Sequence, residues 1–156
     1  APYWEAKAKG MFFNLSLGTK REDMCRAILE GISIEILDNL ALFEKNIGKL
    51  SKISVAGGMT KSNLFAQIQA DAFDMPVVRY QNSEATSLGA AIIAMTTLSE
   101  FDSAEKAAVS ILEKRPEIFY PVKNKTEVYK KLLDRKRSLF YALKSADIYD
   151  IFMESV

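Results

Sequence analysis

The chain has 156 residues, 49% hydrophobic and 26% charged, with a formal net charge of +1. That length suits one domain with its own core, and a charge so near zero gives no global field to draw the chain to nucleic acid or an anionic membrane. Histidine is absent and Cys25 is the only cysteine, which excludes Ser-His and Cys-His catalysis, His-ligated metal sites and an intrachain disulfide, and makes a reducing, cytoplasmic setting the simpler expectation.

The chain opens Ala1-Pro2-Tyr3-Trp4-Glu5, with neither an initiator Met nor a basic-then-apolar leader pattern, so it is expected to be part of something longer. Residues 11–17 are short, apolar and bounded by Gly10 and Gly18; they read as a strand. From Lys20 to about Asn46, Met24, Ile28, Ile32, Ile36, Leu40 and Phe43 recur every three or four residues, a helical stripe closed by Gly48. Residues 53–56 are β-prone and end at Gly57-Gly58. A helix is expected over 60–73 with Thr60 as its N-cap, then a strand over 77–80 released by Pro76. Small residues from Glu84 to about Leu98 read as a further helix. Residues 103–112 read as another, with Asp102 as cap and Glu105 three residues on. An extended segment over 117–122 precedes a last amphipathic helix from Thr126 to about Lys144, with Val128, Tyr129, Leu132, Leu139, Phe140 and Leu143 on one side. Alternating short apolar runs and amphipathic stretches indicate an α/β domain. No apolar run reaches the ~20 residues needed to span a bilayer.

The strongest local signal is Ile53-Ser54-Val55-Ala56-Gly57-Gly58-Met59-Thr60-Lys61-Ser62-Asn63. A strand enters two glycines and leaves as a helix. Glycines let the backbone turn tightly and approach a ligand closely, and the helix start offers free N–H groups, so the segment can form a ledge for a purine ring or a phosphate. It lacks both the G-x-G-x-x-G fingerprint and the Walker A pattern, because Thr60 precedes Lys61. An ordinary strand-to-helix turn fits the same residues. The second signal is Glu84-Ala85-Thr86-Ser87-Leu88-Gly89-Ala90-Ala91. A glycine inside a helix costs about 1 kcal/mol, so the smooth face of Ala85, Gly89 and Ala90 predicts close packing against another helix or the Gly57-Gly58 turn.

Taken in order, Ala56-Gly57-Gly58-Met59-Thr60-Lys61-Ser62, Gln67-Ile68-Gln69-Ala70-Asp71, Pro76-Val77 and the Glu84 segment resemble the C-terminal domain of the FGGY carbohydrate kinases. That family includes glycerol kinase and xylulokinase. Ala1-Pro2-Tyr3-Trp4, Ala8-Lys9-Gly10 and Gly31 are similar to its glycerol-kinase-like branch. The resemblance runs from residue 1 to about 145, leaving 146–156 as a tail. It implies an actin-like ATPase (ribonuclease H-like) fold of which this chain is a C-terminal, half-molecule fragment. It further implies ATP with Mg²⁺ as cofactors, ATP or ADP as ligand, and a sugar or polyol bound mainly by a missing N-terminal domain. Carried onto this sequence, Gly57, Gly58 and Met59 match the turn under the adenine, and Ser62 matches the position that bonds the base edge. The Glu84 helix becomes a support. The family's phosphate loops and catalytic aspartate have no counterpart here, so no catalytic residue and no metal ligand is assigned, and the fragment is expected to be inactive alone. A bared surface also makes a homo-oligomer an open expectation.

Two other features bear on function. Asp71 and Asp74 stand three residues apart and could share acid–base work, although such pairs are more often solvated surface. Lys123, Lys125, Lys130, Lys131, Arg135, Lys136 and Arg137 concentrate charge on the last helix. A solvated outer face is the better reading, with no nucleic-acid or membrane partner. Two rivals to the kinase reading stay in view: a nucleotide-binding scaffold or sensor on the actin fold, and a non-enzymatic binding module that uses this basic helix.

Overall fold

The computed structural model describes residues 3–80, 84–111 and 116–151. The elements in order are α1 (Arg21–Ile47), β1 (Ile53–Val55), a 3-10 turn (Gly58–Lys61), α2 (Asn63–Phe73), β2 (Val77–Arg79), α3 (Ala85–Thr97), α4 (Ala104–Ile111), β3 (Glu117–Phe119), α5 (Lys123–Ser145) and α6 (Ile148–Ile151). β2 is the middle strand of three. It pairs parallel with β1, Val55 beside Arg79, and antiparallel with β3, Arg79 beside Glu117. The parallel pairing requires a crossover, and α2 supplies it.

α2 is the most deeply buried helix because it packs against α1, α5 and the sheet. Its Phe65, Ala66, Ile68, Ala70, Ala72 and Phe73 are all buried. With Ile34, Leu40, Val77, Tyr129 and Leu133 these side chains make the core. Ser62 caps the helix, its Oγ accepting from Phe65 N at 3.3 Å. Asp74 ends it in the left-handed conformation at φ 55°.

The structure corrects several local expectations. Residues 11–17 form no strand. No described strand lies beside them to take their main-chain hydrogen bonds, and Met11, Phe13, Leu15 and Leu17 are exposed. The α1 stripe divides. Ile36 and Leu40 reach the core, Met24, Ile28 and Ile32 line an open groove of about 690 Å³ with residues 10–15, and Phe43 faces solvent. Ser62 takes the capping role expected of Thr60. At α4 the hydroxyl of Ser103 accepts from Lys106 N at 3.3 Å, while Asp102 ion-pairs with the Lys106 side chain. The last residue expected in that helix, Leu112, lies outside the described residues, as do Ala1, Pro2 and 152–156. α5 starts three residues earlier than its stripe suggested. Gly89 has open space where a Cβ would stand, and α3, packed on α4, buries none of its residues. The close packing expected there is not made among the described residues.

One ion cluster locks α1 to α5. Asp38 is 2% exposed. It accepts from Arg137 Nη2 at 2.6 Å and Nε at 3.0 Å, and from Lys136 Nζ at 3.0 Å. Burial alone would raise its pKa, but the hydrogen bonds and charge of Arg137 and Lys136 outweigh that and hold the carboxyl below its ordinary value. Tyr3 joins the cluster. Its ring lies 4.4 Å from Phe140 and 5.0 Å from Lys136 Nζ. Burial first, then the Asp38 charge, pushes its hydroxyl pKa up to about 12. α6 closes the same end, with Tyr149 buried 5.9 Å from Phe140 and Asp150 paired to Lys7.

A depressed carboxylate contributes stability above its unfolded pKa, and that contribution is lost as pH falls through the folded value. Asp38→Asn should therefore cost about 2 kcal/mol near neutral pH, the worth of hydrogen bonds to a charged group. Urea titrations should show the gap between variant and parent begin to narrow below about pH 4, as the unfolded carboxyl protonates, and vanish only once pH has fallen through the lower folded value.

Candidate functional site

The chain leaves β1 at Val55 and turns at Gly57, whose φ of 106° and ψ of 171° lie in a region that side chains rarely tolerate. The 3-10 turn follows. It is closed by Thr60 N and Thr60 Oγ1, which donate to Gly57 O at 3.2 and 2.7 Å, and by Ser62 N, which donates to Met59 O at 3.2 Å. Thr60 points inward and is buried, while Gly58, Met59, Lys61 and Ser62 are exposed. A Cβ built at Gly57 or Gly58 would meet nothing within 4 Å. The turn thus presents bare main chain outward, followed by the flexible thioether of Met59 and the start of α2. Such a surface fits a flat ring laid against main chain, with polar groups at its edge.

The structure brings Gly57, Gly58, Met59 and Ser62 together on one turn, although the Ser62 hydroxyl already accepts from Phe65 N. It can still donate outward. Sequence reasoning missed Arg79. Its guanidinium reaches from β2 to Thr60 O and Asn63 Oδ1, both at 2.7 Å, and its Nε meets Glu117 Oε2 at 3.1 Å. The signal was a lone arginine at a strand end, unreadable without the register that brings it under the turn.

Other candidates have structural work. Asp71 is not solvated surface. It is 2% exposed and its Oδ1 accepts from Gln67 Nε2 and Val122 N, both at 2.8 Å, tying α2 to the start of α5. Asp74 meets Thr126 Oγ1 at 3.4 Å and Lys130 at 3.8 Å. The basic run is partly consumed: Lys136 and Arg137 turn to Asp38, Lys125 to Asp71, and Lys130 to Asp74 and Glu127. Among the described residues no three His, Cys, Asp or Glu side chains gather to hold a metal ion, and no helix is long and apolar enough to cross a membrane.

Residues 1–98 match the FGGY family of carbohydrate kinases, C-terminal domain. The chain belongs to that family. It is 40% identical over 117 residues to a glycerol kinase of Dechloromonas aromatica, covering 74% of this chain and 23% of that enzyme. Its structure is similar to the ligand-bound xylulose kinase of Lactobacillus acidophilus, with a TM-score of 0.83 and 26% identity over 97% of this chain and 30% of that one. It is also similar to Plasmodium falciparum glycerol kinase with ADP, with a TM-score of 0.67 and 28% identity over 86% of this chain and 28% of that one. The fold is therefore that of the FGGY kinases, an actin-like ATPase fold, and this FGGY chain spans between a fifth and a third of the length of these relatives.

Two substitutions separate strain from capping. Gly57→Ala should lower stability by about 1–3 kcal/mol through its positive φ, despite the open space around it. Ser62→Ala should cost about 1 kcal/mol through the lost cap. Chemical denaturation of the two variants checks both figures.

Proposed function

We propose that this FGGY chain supplies the nucleobase shelf of an ATP-dependent carbohydrate or polyol kinase. Gly57, Gly58 and Met59 lie under the adenine, and Ser62 addresses its edge. The rest of the polypeptide brings the phosphate loops, the sugar or polyol pocket, the groups that hold Mg²⁺ and the carboxylate that accepts the hydroxyl proton. The observation that carries this reading is the bare main-chain turn at the end of β1, open to solvent in a chain whose named relatives are kinases. On this reading residues 1–145 form the nucleotide-binding unit in a cytoplasmic enzyme, and 146–156 a tail whose first turn docks as α6.

The surface supports the partition of labour. A compact monomer of this mass exposes about 7,900 Å², whereas this chain exposes 11185 Å². Much of the bare area is apolar: Met11, Phe13, Leu15 and Leu17 along the N-terminal segment, and Ile93 and Leu98 on and beyond α3. A run of exposed apolar side chains such as Met11, Phe13, Leu15 and Leu17 suits an interface. A family relative three to four times as long supplies an occupant for it. Phosphoryl transfer also needs in-line positioning and charge neutralisation around the γ-phosphate, and the nucleobase end alone provides neither.

The chain alone should bind ADP without hydrolysing or transferring phosphate. Amide shifts on ADP titration should centre on Gly57, Gly58, Met59 and Ser62. Gly58→Ala should leave the melting temperature unchanged, because its methyl projects into open space. It should still weaken ADP binding about tenfold by occupying the place of the ring. Robust ADP formation from ATP and polyols by the isolated chain, or shifts confined to α5, would sink the reading.

A further inference from the structure

We propose that Arg79 is a positioning residue for the nucleotide, a clamp that holds the Gly58–Lys61 turn in the shape the base requires. This rests on the shelf reading above and extends it to a residue that does not touch the base.

The turn has little stiffness of its own. Two of its residues or flanks are glycine, so no side chain restrains their dihedrals. Thr60 N and Thr60 Oγ1 close it onto Gly57 O, and Ser62 N onto Met59 O. The carbonyl of Thr60, which sets the next peptide plane, is satisfied from outside by Arg79 Nη1 at 2.7 Å. The other terminal nitrogen bonds Asn63 Oδ1 at 2.7 Å, fixing the first residue of α2. One rigid fork therefore spans the end of the turn and the start of the helix. The guanidinium is itself held. Glu117 on β3 pairs with its Nε and Nη2, and the Phe119 ring lies 5.0 Å from its central carbon. The Arg79 side chain is only 12% exposed, so water competes poorly for these bonds. The register that sets Arg79 beside Val55 on one side and Glu117 on the other makes this reach unavoidable. Lysine could supply the charge, but not the planar fork that meets two acceptors and one carboxylate at once. Glu117 and Phe119, the two residues of β3 that hold the guanidinium, lie beyond the residues matched to the family's C-terminal domain.

The test uses the whole chain with Arg79→Lys and Arg79→Gln, and Glu117→Gln as a milder probe. Amide hydrogen exchange without ligand reads the turn itself. The Thr60 and Ser62 amides should exchange about tenfold faster in both Arg79 variants, with Ile68 and Ala70 in α2 unchanged. If the competent turn is then populated about a tenth of the time, ADP affinity falls about tenfold, with Glu117→Gln between variant and parent. Unchanged exchange at Thr60 and Ser62 overturns the clamp, whatever ADP does. Faster exchange with undiminished ADP affinity overturns its role toward nucleotide. Faster exchange in variants of a parent whose turn amides ignore saturating ADP shows instead that the shelf reading has failed, and the positioning role falls with it.

Discussion

β1 and β2 lie side by side because α2 carries the chain back along the sheet, and this parallel pair fixes what the site can contain. Val55 stands beside Arg79, so the turn that leaves β1 two residues later emerges within reach of the guanidinium that ends β2. A shift of one residue would send the arginine to the other face of the sheet and leave the Thr60 carbonyl without its donor. Burial favours the register: Val78 lies on the face opposite Val77 and Arg79 and is buried, so a one-residue slip would carry Arg79 onto a buried face.

Around that pair, charge is used chiefly to join helices. Asp38 binds α1 to α5, and Asp71 binds α2 to the approach to α5, each almost wholly buried and each facing cations or backbone donors. Both carboxylates serve as ties between elements. The turn of Gly57, Gly58 and Met59 is the opposite case. It carries no charge, leaves main chain open and is braced from behind. That division suits a surface whose task is to recognise a ring while the reacting phosphate is handled elsewhere.

The amphipathic helices were legible in the sequence because their periodicity is local, and the glycine pair announced its turn for the same reason. Three features were not. Residues 11–17 have the composition of a strand, but a strand exists only beside a partner, and none of the described strands lies there. Thr60 and Ser62 are both good caps, and the choice between them was made by the 3-10 turn that draws Thr60 inward to Gly57 O. No local pattern marks Asp38 or Arg79, since what buries them is contact with residues 98 to 99 and 16 to 38 positions away. Local pattern fixes elements; it does not say which polar side chains end up between them.

The central claim is that the base sits on the turn after β1. Photolabelling with 2-azido-ADP tests it most directly, followed by tryptic cleavage after Lys52 and Lys61 and mass spectrometry. The account predicts that label falls on the peptide spanning 53–61 and is displaced by excess ATP. Label spread over the peptides of α5, or label on 53–61 that ATP fails to displace, would contradict it.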